Sequence, residues 1–122
     1  MSTVKSFEEL TIWQEARELT NRIYILSKRF SKEELYGLTS QIRRASVSIM
    51  SNIAEGFNRR SIKEFINLLI IFRVSISEVQ NDLQISLDLN YVNKENFETI
   101  YNHAQKISMS INNLITYSRS QV

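Results

Sequence analysis

Tyr36-Gly-Leu-Thr-Ser-Gln-Ile-Arg-Arg-Ala-Ser-Val-Ser-Ile-Met-Ser-Asn-Ile-Ala-Glu-Gly-Phe-Asn-Arg-Arg-Ser61 is the stretch that decides the fold. Between Gly37 and Gly56, Ile42, Ala45, Ile49 and Ile53 recur every three to four residues, the period of a helix with one buried face. Val47, Met50 and Ala54 form a second row, with Arg43 at its head. The two glycines are the only ones in 122 residues, and there is no proline. A β-rich domain spends far more of both on its turns. The stretch therefore predicts a helix over residues 38–55 in an all-helical chain. Gly56 is expected to end that helix in the left-handed conformation.

The same period extends in both directions. Upstream, Ile12, Ala16, Leu19, Ile23, Leu26 and Phe30 mark a helix over residues 7–29, with Trp13 and Tyr24 widening its stripe. Ser6 and Glu9 have the spacing of a capping box, in which a hydroxyl and a carboxylate satisfy backbone N–H groups at a helix start. Ser31 with Glu34 and Ser61 with Glu64 repeat that spacing. Downstream, Phe65, Leu69, Phe72, Ile76, Val79, Leu83 and Leu87 mark a third helix over residues 62–89. Residues 90–93 read as a turn, with Asn93 as N-cap. Phe97, Ile100, Ala104, Ile107, Ile111 and Leu114 mark a fourth helix over residues 94–117. Four amphipathic helices with short connections predict one domain spanning residues 1–122, an up-down-up-down antiparallel four-helix bundle. Residues 65–72 hold a single polar side chain, Asn67, so the third helix is apolar on more than one side. That width suits a central helix or one that also meets another subunit.

Hydrophobic residues make up 43% and charged residues 23% of the chain, ordinary values for a folded domain. There is no cysteine, which removes disulfides and thiolate metal ligands. The first residues lack the apolar core of a signal peptide, and the longest apolar run, residues 68–72, is far too short to span a bilayer. A soluble, cytoplasmic protein is expected, with no membrane partner.

The net charge of +2 is unevenly distributed. From Lys28 to Lys63 there are eight bases and three acids, a balance of +5, and the remainder carries −3. Arg43-Arg44 and Arg59-Arg60-Ser-Ile-Lys63 are its dense points. Clustered arginine and lysine suit phosphate contacts. An acidic protein surface is the alternative partner. Arg59, Arg60 and Lys63 are the first candidates for nucleic-acid contact, and Arg43 is the next.

Arg44, Ser48, Asn52 and Glu55 share one face of the second helix, with Gln41 a turn earlier. Glu64, Asn67, Ser75, Glu78 and Asp82 share a face of the third. Facing one another, these lines predict a polar network of Arg44, Ser48, Asn52, Glu55 and Glu78, within a subunit or between subunits. Such networks specify register more than they add stability. His103, the only histidine, has Thr99 and Ile107 four residues away on either side, so no carboxylate of its own helix reaches it. A structural role is expected for it, with no metal site. Ser48 and Glu55 lack a histidine base in their helix, so a hydrolytic triad has no support. No phosphate-binding loop or dinucleotide fingerprint is present, and neither catalytic residues nor a cofactor are expected.

Ser6-Phe-Glu-Glu-Leu-Thr-Ile-Trp-Gln-Glu-Ala16, Tyr36-Gly-Leu-Thr-Ser-Gln-Ile-Arg-Arg-Ala45 and Ser48-Ile-Met-Ser-Asn-Ile-Ala-Glu-Gly56 resemble the four-helix-bundle family named after proteins encoded in intervening sequences of bacterial large-subunit ribosomal RNA genes. The resemblance covers nearly the whole chain. It implies a bundle that assembles into a ring, a homopentamer, with RNA as the ligand suggested by the genetic setting. The accessory proteins of diversity-generating retroelements are similar in fold. Through them the resemblance implies nucleic acid, RNA or DNA, and a reverse transcriptase or other protein as partners. The family-like residues are Gln41, Arg43, Arg44, Ser48, Asn52, Glu55, Gly56, Arg59, Arg60, Ser61 and Glu64. Met50 stands where relatives often carry proline, which predicts a straighter second helix. Asn58 and Val74 stand where relatives often carry glycine. The expected function is that of a non-enzymatic, oligomeric nucleic-acid-binding or accessory protein, and the alternative is a protein-interaction scaffold without nucleic-acid contact.

Overall fold

A computed structural model describes residues 5–58 and 61–122. Four α-helices account for most of them: α1 (Thr11–Ser27), α2 (Leu38–Phe57), α3 (Ile62–Asp88) and α4 (Lys94–Arg119). α2 packs on α1 and α3, and α4 packs on α3 and α1, while the backbones of the diagonal pairs do not approach closely among the described residues. This is the up-down-up-down antiparallel bundle that four linked amphipathic helices produce. The helical rows meet along its axis. Leu19, Ile23, Ile42, Ile49, Ile53, Leu69, Phe72, Ile76, Leu83 and Ile111 are all essentially fully buried. α3, with 27 residues, spans about 40 Å at 1.5 Å per residue.

Three helix boundaries are built differently from the expected ones. α1 starts at Thr11, because Leu10 is extended (φ −72°, ψ 128°) and separates a 3-10 turn, Phe7–Glu9, from the helix. The Glu9 carboxylate accepts from the backbone N–H groups of Lys5 and Ser6, so the Ser6–Glu9 pair caps the short turn, not α1. Ser31 accepts from the Glu33 N–H at 3.3 Å. Glu34 reaches forward instead of back. It accepts from the Leu38 N–H at 3.3 Å, at the start of α2, and from the Tyr91 hydroxyl at 3.2 Å. Gly56 does not end α2; it is buried inside the last turn, and the helix runs to Phe57. A Cβ at Gly56 would stand 3.3 Å from Phe65 Cδ1 and 3.6 Å from Leu68 Cβ. The glycine is therefore a point of close approach between α2 and α3.

The starts of α3 and α4 are as the sequence predicts, while α1 ends at Ser27 and α4 at Arg119, each two residues from the expected end. Ser61 accepts from the Glu64 N–H and caps α3, and Asn93 accepts from the Asn96 N–H and caps α4. α3 closes in a Schellman motif, with Tyr91 N–H on the Ser86 carbonyl and Asn90 N–H on that of Leu87. Asn90 carries the positive φ, 61°, that the motif requires. The apolar rows are confirmed except that Val47 and Tyr24 are exposed. None of the described helices is long and apolar enough to cross a membrane.

Candidate functional site

The polar line of α2 meets that of α3. Ser48 Oγ lies 3.1 Å from Ser75 Oγ, and the Asn52 amide donates to Ser48 at 3.1 Å. Two turns toward the other end, the Gln41 amide donates to Asp82 Oδ1 at 2.8 Å. Ser48, Asn52, Ser75, Gln41 and Asp82 thus form an interhelical seam. Asp82 is fully buried, and its Oδ2 has no hydrogen-bond partner among the described residues. Burial pushes its carboxyl above the ordinary value of 3.8. Hydrogen bonds from Asn81 and Gln41 oppose that shift, and the nearby Glu78 charge adds to it.

Arg44 and Glu78 were expected inside this network, yet they flank it. Both line an open groove between α2 and α3, together with Tyr36, Gln41, Ser48 and Ser75. The Arg44 guanidinium bonds Ser40 of its own helix at 3.1 Å, and no Arg44 ion pair is found among the described residues. Gln41, Ser48 and Ser75 of the seam line the same groove, and Arg44 and Glu78 are exposed beside them. Glu55 is exposed on the same face of α2.

A second groove runs along the other flank of α2. It is lined by Tyr24, Leu35, Tyr36, Ser40, Arg43, Arg44 and Val47. Tyr36 and Arg44 belong to both grooves, so one polar and aromatic surface wraps the first turns of α2. Tyr36 is 93% exposed. Arg43 is half-buried and committed to α1. Its Nε donates to Ser27 Oγ at 2.7 Å, and its guanidinium lies 4.8 Å from the centre of the Tyr24 ring. Lys63 is exposed in the first turn of α3. Arg59 and Arg60 lie outside the described residues. Of the described sequence candidates, Arg43 is held in place by the bundle and Lys63 is exposed. Arg44 is the cation this surface presents, and its exposure could not be read from periodicity because the polar line lies along the edge of the buried face.

A family model described as "23S rRNA-intervening sequence protein" matches residues 8–113. The chain belongs to this family. The fold agrees: a crystal structure of a protein of unknown function from the S23 ribosomal protein family of Bacteroides thetaiotaomicron superposes with a TM-score of 0.80 at 26% identity, covering 86% of this chain and 98% of that one. No curated protein matches. The matched span of the intervening-sequence family includes α1, α2, α3 and most of α4, hence both grooves and the polar seam.

His103, expected to be structural, has a partner that helical spacing could not reveal. Its Nε2 lies 2.9 Å from Glu15 Oε2 on α1, 88 positions away. Glu18 completes a group whose ligand atoms all lie within 4.8 Å of one another.

Proposed function

We propose that this member of the intervening-sequence family is a non-enzymatic, ring-forming homo-oligomer, a homopentamer, that binds nucleic acid, with RNA the first candidate. The observation that carries this reading is the surface around Arg44 and Tyr36: a guanidinium with one intrahelical partner beside a tyrosine almost wholly in solvent. A guanidinium contacts phosphate, and an exposed aromatic face stacks on an unpaired base. The basic balance of residues 28–63 supports the same ligand, since Lys63 is exposed and Arg59-Arg60 precede it in sequence. The apolar side chains exposed on α3, Ile71 and Val74, support self-association.

Fluorescence anisotropy with labelled single-stranded RNA and DNA across a salt series tests the reading. Affinity should fall with salt, with a log–log slope of about −0.7 per phosphate contact for a single strand. Arg44→Ala and the double substitution Arg59→Ala/Arg60→Ala should each weaken binding to all sequences alike and flatten that slope. Salt-insensitive binding, or variants that bind like the parent, would remove nucleic acid as the ligand. The exposed apolar positions of α3 also support the second reading, a scaffold for another protein. A partner that stays bound after nuclease treatment, and is lost on Val74→Asp, favours the scaffold.

A further inference from the structure

We propose that Glu15, Glu18 and His103 form a site for one divalent transition-metal ion of the zinc class, bridging α1 and α4. The site is separate from the grooves of α2 and does not rest on the nucleic-acid reading. Glu15 and Glu18 are one helical turn apart on α1, so their carboxylates share a face. His103 enters from α4 with Nε2 already 2.9 Å from Glu15 Oε2, and the three ligand atoms lie within 4.8 Å of one another. Ligands bound to zinc at about 2.0–2.2 Å stand roughly 3.4 Å apart in a tetrahedron. Glutamate rotamers alone can close the remaining gap.

The burial pattern is that of a donor set. The imidazole side chain is only 10% exposed, so its neighbours fix the ring, while the Glu15 and Glu18 side chains remain about half in solvent. One fixed nitrogen and two adjustable oxygens leave room for water at the remaining positions. Imidazole with carboxylates suits zinc and related ions, whereas calcium and magnesium prefer all-oxygen sites. The His103 Nδ1 has no hydrogen-bond partner among the described residues, so Nε2, already 2.9 Å from Glu15, is the ring nitrogen placed for a cation. Nε2 is the nitrogen the fold directs at polar groups, and those groups are two carboxylates. Arg22 holds Glu18 at 3.1 Å and competes with a cation for it.

Isothermal titration of tag-free protein with zinc chloride, and with magnesium chloride as a control, tests the site. The expected result is one zinc per chain and little heat from magnesium. His103→Gln and Glu15→Gln/Glu18→Gln should each weaken zinc binding by at least about tenfold, and Arg22→Gln should preserve or strengthen it. Cobalt bound in place of zinc should give a visible absorption band that is lost in the same variants. Should His103→Gln fail to fold, the exposed glutamate pair still decides the matter. Absence of zinc binding in the micromolar range overturns the proposal, and so does binding that the glutamate double variant leaves unchanged.

Discussion

Gln41 Nε2 donates to Asp82 Oδ1 at 2.8 Å, and the other oxygen of that carboxylate is buried without a partner among the described residues. Amide donors from Gln41 and Asn81, both on one oxygen, do not replace the water that a charged carboxylate loses on burial, and Glu78 adds a second negative charge nearby. The folded-state pKa is therefore raised above the unfolded value near 3.8. The folded protein favours the protonated form, so its stability is highest below the unfolded pKa and is lost as pH rises through the folded pKa. Asp82→Asn keeps the acceptor for Gln41 and removes the charge. It should raise stability at neutral pH by about 1 kcal/mol, and this advantage should shrink as the pH falls toward 3.8. Urea unfolding of both proteins across that range checks the expectation. A variant less stable than the parent at neutral pH would show that the charge is compensated.

The bundle was legible because a core residue announces itself by period. Ile42, Ile49, Phe72 and Ile111 fall on their stripes, and all are buried. Contacts between elements distant in sequence were not. Glu15 and His103 are helical neighbours of nothing that would pair them, and only the packing of α1 on α4 brings them to 2.9 Å. Ser48 and Ser75 were placed on facing lines by period, and they do meet. Arg44 was placed on that line too, but a residue at the edge of a stripe can turn inward or outward, and here it turns outward to the groove. Gly56 shows the same limit. A glycine near a helix end signals either a left-handed cap or a close crossing, and the partner across the crossing decides which.

Gly56 should be intolerant of bulk. The nearest atoms to an added Cβ belong to Phe65 and Leu68, at 3.3 and 3.6 Å. Alanine needs only a small shift of Phe65 and gains helix propensity. Leucine must displace Phe65 and Leu68 and so push α3 away from the last turn of α2. Gly56→Leu should cost about 1–3 kcal/mol, the usual penalty for overpacking. Thermal unfolding followed by circular dichroism reads the loss, and an unchanged midpoint would show that the crossing is loose.

Asn90 is replaceable by glycine but not by a branched residue. Its φ of 61° lies where a Cβ is crowded, and the Schellman bonds of Tyr91 and Asn90 depend on it. Asn90→Gly should leave stability within about 0.5 kcal/mol, whereas Asn90→Val should cost about 1–2 kcal/mol. Parallel denaturant titrations of the two variants separate a backbone effect from loss of the asparagine side chain. Equal losses would point to the side chain.

Self-association should depend on the outward face of α3. Ile71 is 49% exposed and Val74 54%, and the row continues through Glu78, Asn81 and Ile85 at helical steps. Neither Ile71 nor Val74 is needed to complete the core, because Leu69, Phe72, Ile76 and Val79 fill it from the opposite face of the same helix. An acidic residue at Val74 would then leave the bundle intact but place a charge in any contact made by this face. Val74→Asp should keep the helical circular dichroism of the parent and lower the mass measured by light scattering from that of an oligomer toward that of a single 14.3 kDa chain. The comparison also separates folding from assembly. A variant that unfolds would show that α3 uses this face within the chain, and one that keeps the parent's oligomeric mass would move the subunit contact to another surface.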